Sequence, residues 1–263
     1  MGHPRKALRM SLHAIITRLR AAGCVFAEDE ARLLSTAARD HAELHAMVDR
    51  RVSGLPLEHI LGWAEFHGLR VTVGPGVFVP RRRTEYLVHR ATPLLRPHTV
   101  VVDLCCGSGA VGAALATTEP RIALHAADIE PAAVKCALHN ITQHGGEVHE
   151  GDLYDALPTA LRGRVHIIVA NAPYVPTDAV ALMPPEARDH EPRIALDGGT
   201  DGLDLHRRIA AEAPHWLTPG GHLLIETSRR QAPHTAEALA TNGFHPQIHH
   251  CDDLGATVVH GTR

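Results

Sequence analysis

Apolar residues recur at three- and four-residue steps through Leu8, Leu12, Ile15, Ile16 and Leu19, which predicts an amphipathic helix over Ala7–Ala22, stopped at Gly23. Glu28–Ala38 and His41–Val52 read as two more helices. Gly54-Leu55-Pro56 breaks the pattern and opens a short helix through Leu61. The pattern then changes to that of extended chain. Two short runs, near Ala64–Phe66 and Leu69–Val73, flank His67-Gly68 and predict a small hairpin. Gly74-Pro75-Gly76 is a turn, and Val77-Phe78-Val79-Pro80 is extended up to its proline.

Thr84–Leu95 reads as a helix with Thr84 as its N-cap, ended by Pro97. From there strands and helices alternate. The expected strands are Thr99–Leu104, Ile122–Asp128, Glu147–Glu150, Val165–Ala170 and His222–Glu226. The helices between them are Ala110–Ala116, Pro131–Gln143, Leu203–Ala213 and Arg230–Thr241, and strands near Pro246–His250 and Ala256–Val259 close the chain. A long loop separates Ala170 from Leu203. Such alternation predicts an α/β fold, a Rossmann-like parallel sheet with helices on both faces and ligands bound outside the carboxyl ends of the strands.

The composition changes this picture little. With 263 residues the chain holds one α/β domain and a smaller appendage, and 44% hydrophobic content suits a globular protein. No apolar run approaches a membrane span, and the basic N-terminal stretch has no apolar block of a secretory signal, so a cytoplasmic location is expected. The five cysteines form no CxxC pair, which fits a reducing compartment. The 22 histidines show no HExxH or Cys/His ligand spacing, and no metal is expected. Charge is uneven: residues 1–96 hold 15 Lys and Arg against 9 Asp and Glu, and residues 97–263 hold 11 against 20. A basic front half suits either an acidic partner or simply a solvated helical face.

The candidate chemistry lies where strands end. Asp103-Leu104-Cys105-Cys106-Gly107-Ser108-Gly109 joins a strand to a helix start, and Gly107 and Gly109 let a ligand approach the backbone. A pyrophosphate is disfavoured there, because the Asp103 carboxylate repels phosphate. A cationic ligand is favoured, and S-adenosylmethionine carries both a sulfonium and an ammonium. Asp128 ends the next strand and suits a ribose diol. Asp152, before Leu153, suits an adenine amino group. All three carboxylates also suit helix capping. Cys105 and Cys106 read as small buried residues rather than nucleophiles. Asn171-Ala172-Pro173-Tyr174 follows a buried strand. Its Asn oxygen and the carbonyl after it can accept both hydrogens of a planar NH2 group, with the Tyr ring against the π-face.

Together these motifs resemble the N(5)-glutamine methyltransferases of peptide chain release factors, the PrmC/HemK family. Four stretches carry the resemblance: Pro56–Gly62 with Glu65–Leu69; Pro75–Arg81 with Thr84-Glu85; the Asp103 loop; and Asn171–Tyr174 with Glu191–Gly199 and Asp201–Asp204. The resemblance spans about residues 5–260. It implies a helical substrate-recognition domain over 1–62, a hairpin linker over 63–83 and a seven-stranded methyltransferase domain over 84–263. The implied cofactor is S-adenosylmethionine, held by Asp103, Cys105, Cys106, Gly107, Ser108, Gly109, Asp128, Asp152, Leu153 and Asn171. The implied substrate is the GGQ glutamine of a release factor, held by Phe78, Asn171, Ala172, Pro173 and Tyr174. A monomer without membrane or nucleic-acid partners is expected.

Three departures mark a divergent subgroup. Cys105-Cys106 stands where the family has Gly-Thr, Leu153 where it has an aromatic, and Ala172 where it has the first of two prolines. Ala172 keeps the acceptor carbonyl but lacks the fixed φ of proline. Two rival readings use the same fold: an N(6)-adenine nucleic-acid methyltransferase, which the acidic second half opposes, and a binding protein without catalysis. A nicotinamide dehydrogenase is disfavoured because the loop lacks the third spaced glycine.

Overall fold

The computed structural model describes residues 10–263. The first helix, α1 (Leu12–Ala21), is capped by Ser11, whose hydroxyl accepts the Ala14 N–H at 3.2 Å. The expected start of this helix at Ala7 lies outside the described residues. Helices α2 (Ala27–Ala37) and α3 (His41–Val52) follow, the latter capped by Asp40, which accepts the Glu43 N–H at 2.8 Å. The short α4 (Leu57–Leu61) ends on Gly62 at φ 81°, a left-handed position that favours glycine. These four helices enclose a small core of their own, built from Ile15, Leu19, Leu34, Val48 and Ile60.

Strands β1 (Trp63–Phe66) and β2 (Leu69–Thr72) form the expected hairpin. His67 and Gly68 both have positive φ, as a two-residue turn between twisted strands requires. Phe66 and Val71 pack into the core of the large sheet, not into that of the N-terminal helices.

The remaining helices are α5 (Glu85–Ala91), α6 (Ala110–Thr118), α7 (Pro131–Thr142), α8 (Pro185–His190), α9 (Asp204–Trp216) and α10 (Ala232–Thr241). The strands are β3 (Val100–Leu104), β4 (Ala123–Asp128), β5 (Glu147–Glu150), β6 (Val165–Ala170), β7 (Leu217–Thr227), β8 (His245–Cys251) and β9 (Ala256–Thr262). They form one seven-stranded sheet in the order β5-β4-β3-β6-β7-β9-β8. The two central strands, β3 and β6, are almost wholly apolar because both faces are covered. One face packs Leu87, Leu115 and Ile141; the other packs Ile209, Trp216 and Leu239. Tyr154 stacks on Trp216 with ring centroids 5.6 Å apart and donates its hydroxyl to the Ile209 carbonyl at 3.0 Å.

Four features differ from the sequence expectation. The sheet is mixed: β9 runs antiparallel to both β7 and β8, since the tight turn after β8 returns the chain directly. Thr84 is not a side-chain cap; it closes a 3-10 turn, and its hydroxyl is used elsewhere. Helix α9 runs to Trp216 past Pro214, held by burial of the indole. The loop between β6 and α9 contains α8, too short to show a helical period. No helix of the described residues is long and apolar enough to cross a membrane.

A buried ion pair anchors the N-terminal helices. Arg51 meets Glu30 at 2.6 Å and Glu186 of α8 at 2.7 Å. Arg51→Ala leaves the Glu30 carboxylate unpaired in the helical core. Denaturant unfolding is expected to show a loss of about 3–5 kcal/mol, and an unchanged midpoint would contradict this role.

Candidate active site

The carboxyl ends of β3, β4 and β6 open onto one cavity of about 850 Å3. Every residue singled out in the sequence except Gly109 lines it: Phe78, Asp103, Cys105, Cys106, Gly107, Ser108, Asp128, Asp152, Leu153 and Asn171–Tyr174. Gly109 instead faces α7. A Cβ there would stand 2.8 Å from the Ile141 side chain, so this glycine serves helix packing rather than ligand approach.

The loop after β3 turns by three positive-φ residues, Cys105, Gly107 and Gly109. Cys105 therefore occupies a backbone conformation that favours glycine, which makes it the costly member of the loop. Burial pushes both thiols up, and the carboxylates of Asp103 and Asp128 add to the effect. This disfavours the thiolate form at both positions.

The cavity's carboxylates are held by backbone N–H groups and keep acceptor capacity. Asp103 is buried and, among the described residues, accepts only the Gly112 N–H, at 2.9 Å. Burial raises its pKa to about 7, against the pull of that hydrogen bond, and Asp128 adds to the rise. Asp128 accepts the Gly107 N–H at 2.8 Å through one oxygen and the Glu130 N–H at 2.9 Å through the other. Each oxygen keeps a lone pair for a hydroxyl donor. Asp152 is paired with Arg208 at 2.8 Å on the rim. Leu153, at φ 50°, supplies buried apolar cover beside it. The cavity thus offers one acidic, one diol-accepting and one apolar region, which fits a nucleoside bearing a cationic amino-acid chain.

Asn171 leaves β6 with its amide held at one end. Its Nδ2 donates to Thr84 Oγ1 at 3.3 Å. In that bond the Thr84 oxygen accepts, because an NH2 group can only donate. Among the described residues no donor reaches the Asn171 amide oxygen. Glu226 is 1% exposed. It receives Arg83 Nε at 3.3 Å and the Tyr174 hydroxyl at 3.5 Å. Burial raises its pKa, and the neighbouring Thr84, Arg83 and Tyr174 groups oppose that shift. Burial also pushes the Tyr174 phenol up, so the ring stays neutral.

The sequence reading assigned no role to Thr84 beyond capping and none to Arg83, Glu226, Gln231 or Asn140. Gln231 donates to the Tyr174 carbonyl at 2.8 Å and the Asp201 carbonyl at 3.1 Å. Asn140 bonds the Ser108 carbonyl at 2.8 Å and both backbone groups of Thr72, tying the hairpin to the β3 loop. No local spacing marks any of these residues; they lie far from their partners in sequence. The segment Glu191–Gly199 was visible as a motif but not by what it does. Glu191 receives Arg81 at 2.7 Å and the Val79 N–H at 3.1 Å, fixing Phe78, over whose ring the Arg81 guanidinium lies at 4.7 Å.

Residues 69–183 match the methyltransferase small domain family. A methyltransferase crystal structure from Pyrococcus furiosus superposes with a TM-score of 0.56 at 16% identity, covering 74% of this chain and 89% of that one. The chain thus shares the fold of that methyltransferase and carries a methyltransferase small domain, and S-adenosylmethionine is its cofactor. Sequence similarity is closer to a narrower group. A release factor glutamine methyltransferase from Geobacter sulfurreducens is 38% identical over 205 residues, 77% of this chain and 71% of that protein. Proteins of the same name from Streptomyces coelicolor and Mycolicibacterium smegmatis are 42% and 39% identical, covering 70% and 77% of this chain and 67% and 72% of theirs. The chain belongs to the release factor glutamine methyltransferase family.

Gly198 packs directly against the backbone of the Asn171 motif. A Cβ there would stand 2.6 Å from the Pro173 carbonyl and 2.8 Å from Tyr174 Cα. Gly198→Ala is expected to shift the motif and lower methyl transfer roughly tenfold to a hundredfold. Its circular dichroism is expected to match the parent. Unchanged turnover would show that the motif tolerates displacement.

Proposed function

We propose that this chain methylates the side-chain amide nitrogen of a glutamine in a peptide chain release factor. The observation that carries the reading is the one-ended restraint of Asn171, which leaves an oriented acceptor facing the cavity. The names of the relatives support the choice of substrate.

An amide nitrogen is a poor nucleophile because its lone pair is delocalised. The Asn171 oxygen and the Ala172 carbonyl accept the two N–H bonds of the incoming amide, and the Tyr174 ring covers its face. This arrangement favours a pyramidal nitrogen whose lone pair is aimed at the methyl group. When bound, S-adenosylmethionine supplies a methyl carried on a sulfonium, a good leaving group. Orientation then contributes up to ~7–11 kcal/mol. The nitrogen loses its proton after transfer, so no general base is needed beforehand. Asp103 holds the ammonium group, Asp128 the ribose hydroxyls, and Leu153 with Asp152 the adenine. Phe78 closes the glutamine pocket. The helices at residues 12–61 recognise the protein substrate.

Removing the acceptor tests the reading directly. Asn171→Ala is expected to lower turnover on a release-factor glutamine about a hundredfold or more, with an unchanged unfolding midpoint. Near-parental turnover would overturn it.

Asp103 generates a pH dependence. A cation binds the ionised carboxylate in preference to the neutral one, and the free group titrates at about 7. Affinity for S-adenosylmethionine is therefore expected to fall as pH drops below about 7 and to level off above it. Calorimetry from acid to mildly alkaline pH reads this directly. Asp103→Asn is expected to flatten the profile, and a parent profile that is already flat would contradict the ammonium contact.

A further inference from the structure

Three side chains at the far edge of the sheet stand together and take no part in methyl transfer. His125 lies on β4, and Glu147 and His149 lie on the edge strand β5. The register pairs His125 with Glu147, and His149 follows two residues later, so all three project from one face. Val148 projects from the other face, into the core. His125 Nδ1 is 3.2 Å from His149 Nε2. One Glu147 oxygen lies 3.7 Å from the first nitrogen and 3.9 Å from the second. The two histidine side chains are 13% and 16% exposed, whereas Glu147 is 65% exposed.

We propose that this triangle is a Zn2+ site with His125 Nδ1, His149 Nε2 and a Glu147 oxygen as ligands and water as the fourth. Metal–ligand distances of about 2.0–2.2 Å place neighbouring donors of a tetrahedral site about 3.3–3.5 Å apart. The two nitrogens, at 3.2 Å, need to part only slightly to reach that spacing. The carboxylate reaches it by a small swing of an exposed side chain. Two imidazoles and one carboxylate select a borderline transition ion over Mg2+ or Ca2+. Nothing in the spacing of the chain announced the site, because its ligands come from two strands that meet only in the sheet.

The position gives the ion a role. Asp128 follows His125 by three residues, and Asp152 follows His149 by three. Both line the cavity. β5 has a single neighbouring strand, so a bound ion staples this edge to β4 below the two carboxylates. The competing account is a neutral histidine pair sharing one N–H, with Glu147 as a bystander.

The experiment uses the full chain, stripped with a chelator, titrated with ZnCl2 by calorimetry and passed through gel filtration for metal analysis. One equivalent retained per chain is expected. His149→Ala and the exposed Glu147→Gln are each expected to weaken binding by about tenfold or more. The control is His222→Ala, which breaks a second histidine pair, His222 and His260 at 3.0 Å, and is expected to bind as the parent does. Circular dichroism of each stripped variant establishes that it is folded. A parent chain that retains no Zn2+, a His149→Ala chain that retains it fully, or loss in His222→Ala alone would overturn the assignment.

Discussion

An amide side chain has a donor end and an acceptor end, and a pocket that must orient an incoming NH2 needs only the acceptor. The bond from Asn171 Nδ2 to Thr84 Oγ1 makes that selection. The Thr84 oxygen accepts there, since an amide NH2 can only donate. Glu226 acts at one remove from the chemistry. Buried on β7, it meets Arg83 and reaches the Tyr174 hydroxyl, which bears on the aromatic ring of the motif. Both contacts fall on Oε1, and Oε2 is buried with no hydrogen-bond partner among the described residues.

The same logic of buried carboxylates organises the cofactor side. Asp103 sits deep enough that its neutral form competes at neutral pH, and a cationic ligand would favour the charged form. Asp128 is braced by two backbone N–H groups and remains able to accept more. The cavity's polarity thus comes from carboxylates whose remaining valence matches a ligand, while the two cysteines between them are chemically silent. Their cost lies in conformation, since Cys105 holds a left-handed φ that glycine would adopt freely.

The N-terminal helices reach the site through few but directional links. His59 Nε2 lies 2.8 Å from the Val77 carbonyl, next to Phe78. Arg81 and Glu191 fasten the linker to the loop that packs on the Asn171 motif. Arg51 meets Glu186, which itself lines the cavity. A protein substrate seated on the helices would therefore be registered at the pocket through charged and hydrogen-bonded pairs rather than through a continuous apolar core.

What the sequence determined by itself was local or motif-borne. Periodicity marked β5, β6 and α3 at their observed ends, and the strand-end positions of Asp103, Asp128 and Asn171 announced one cavity. Turn chemistry at His67-Gly68 set the hairpin. These readings work because backbone geometry repeats every few residues and sheets of this kind bind ligands at one end. What tertiary structure decided was everything that depends on distant partners. Thr84 reads as a cap until Glu226 and Asn171 stand beside it, and Gly109 reads as a ligand contact until Ile141 fills the space. The antiparallel course of β9 and the meeting of His125 with Glu147 and His149 belong to this second group. A side chain's own identity fixes which bonds it can make; only the fold brings the atom that completes them.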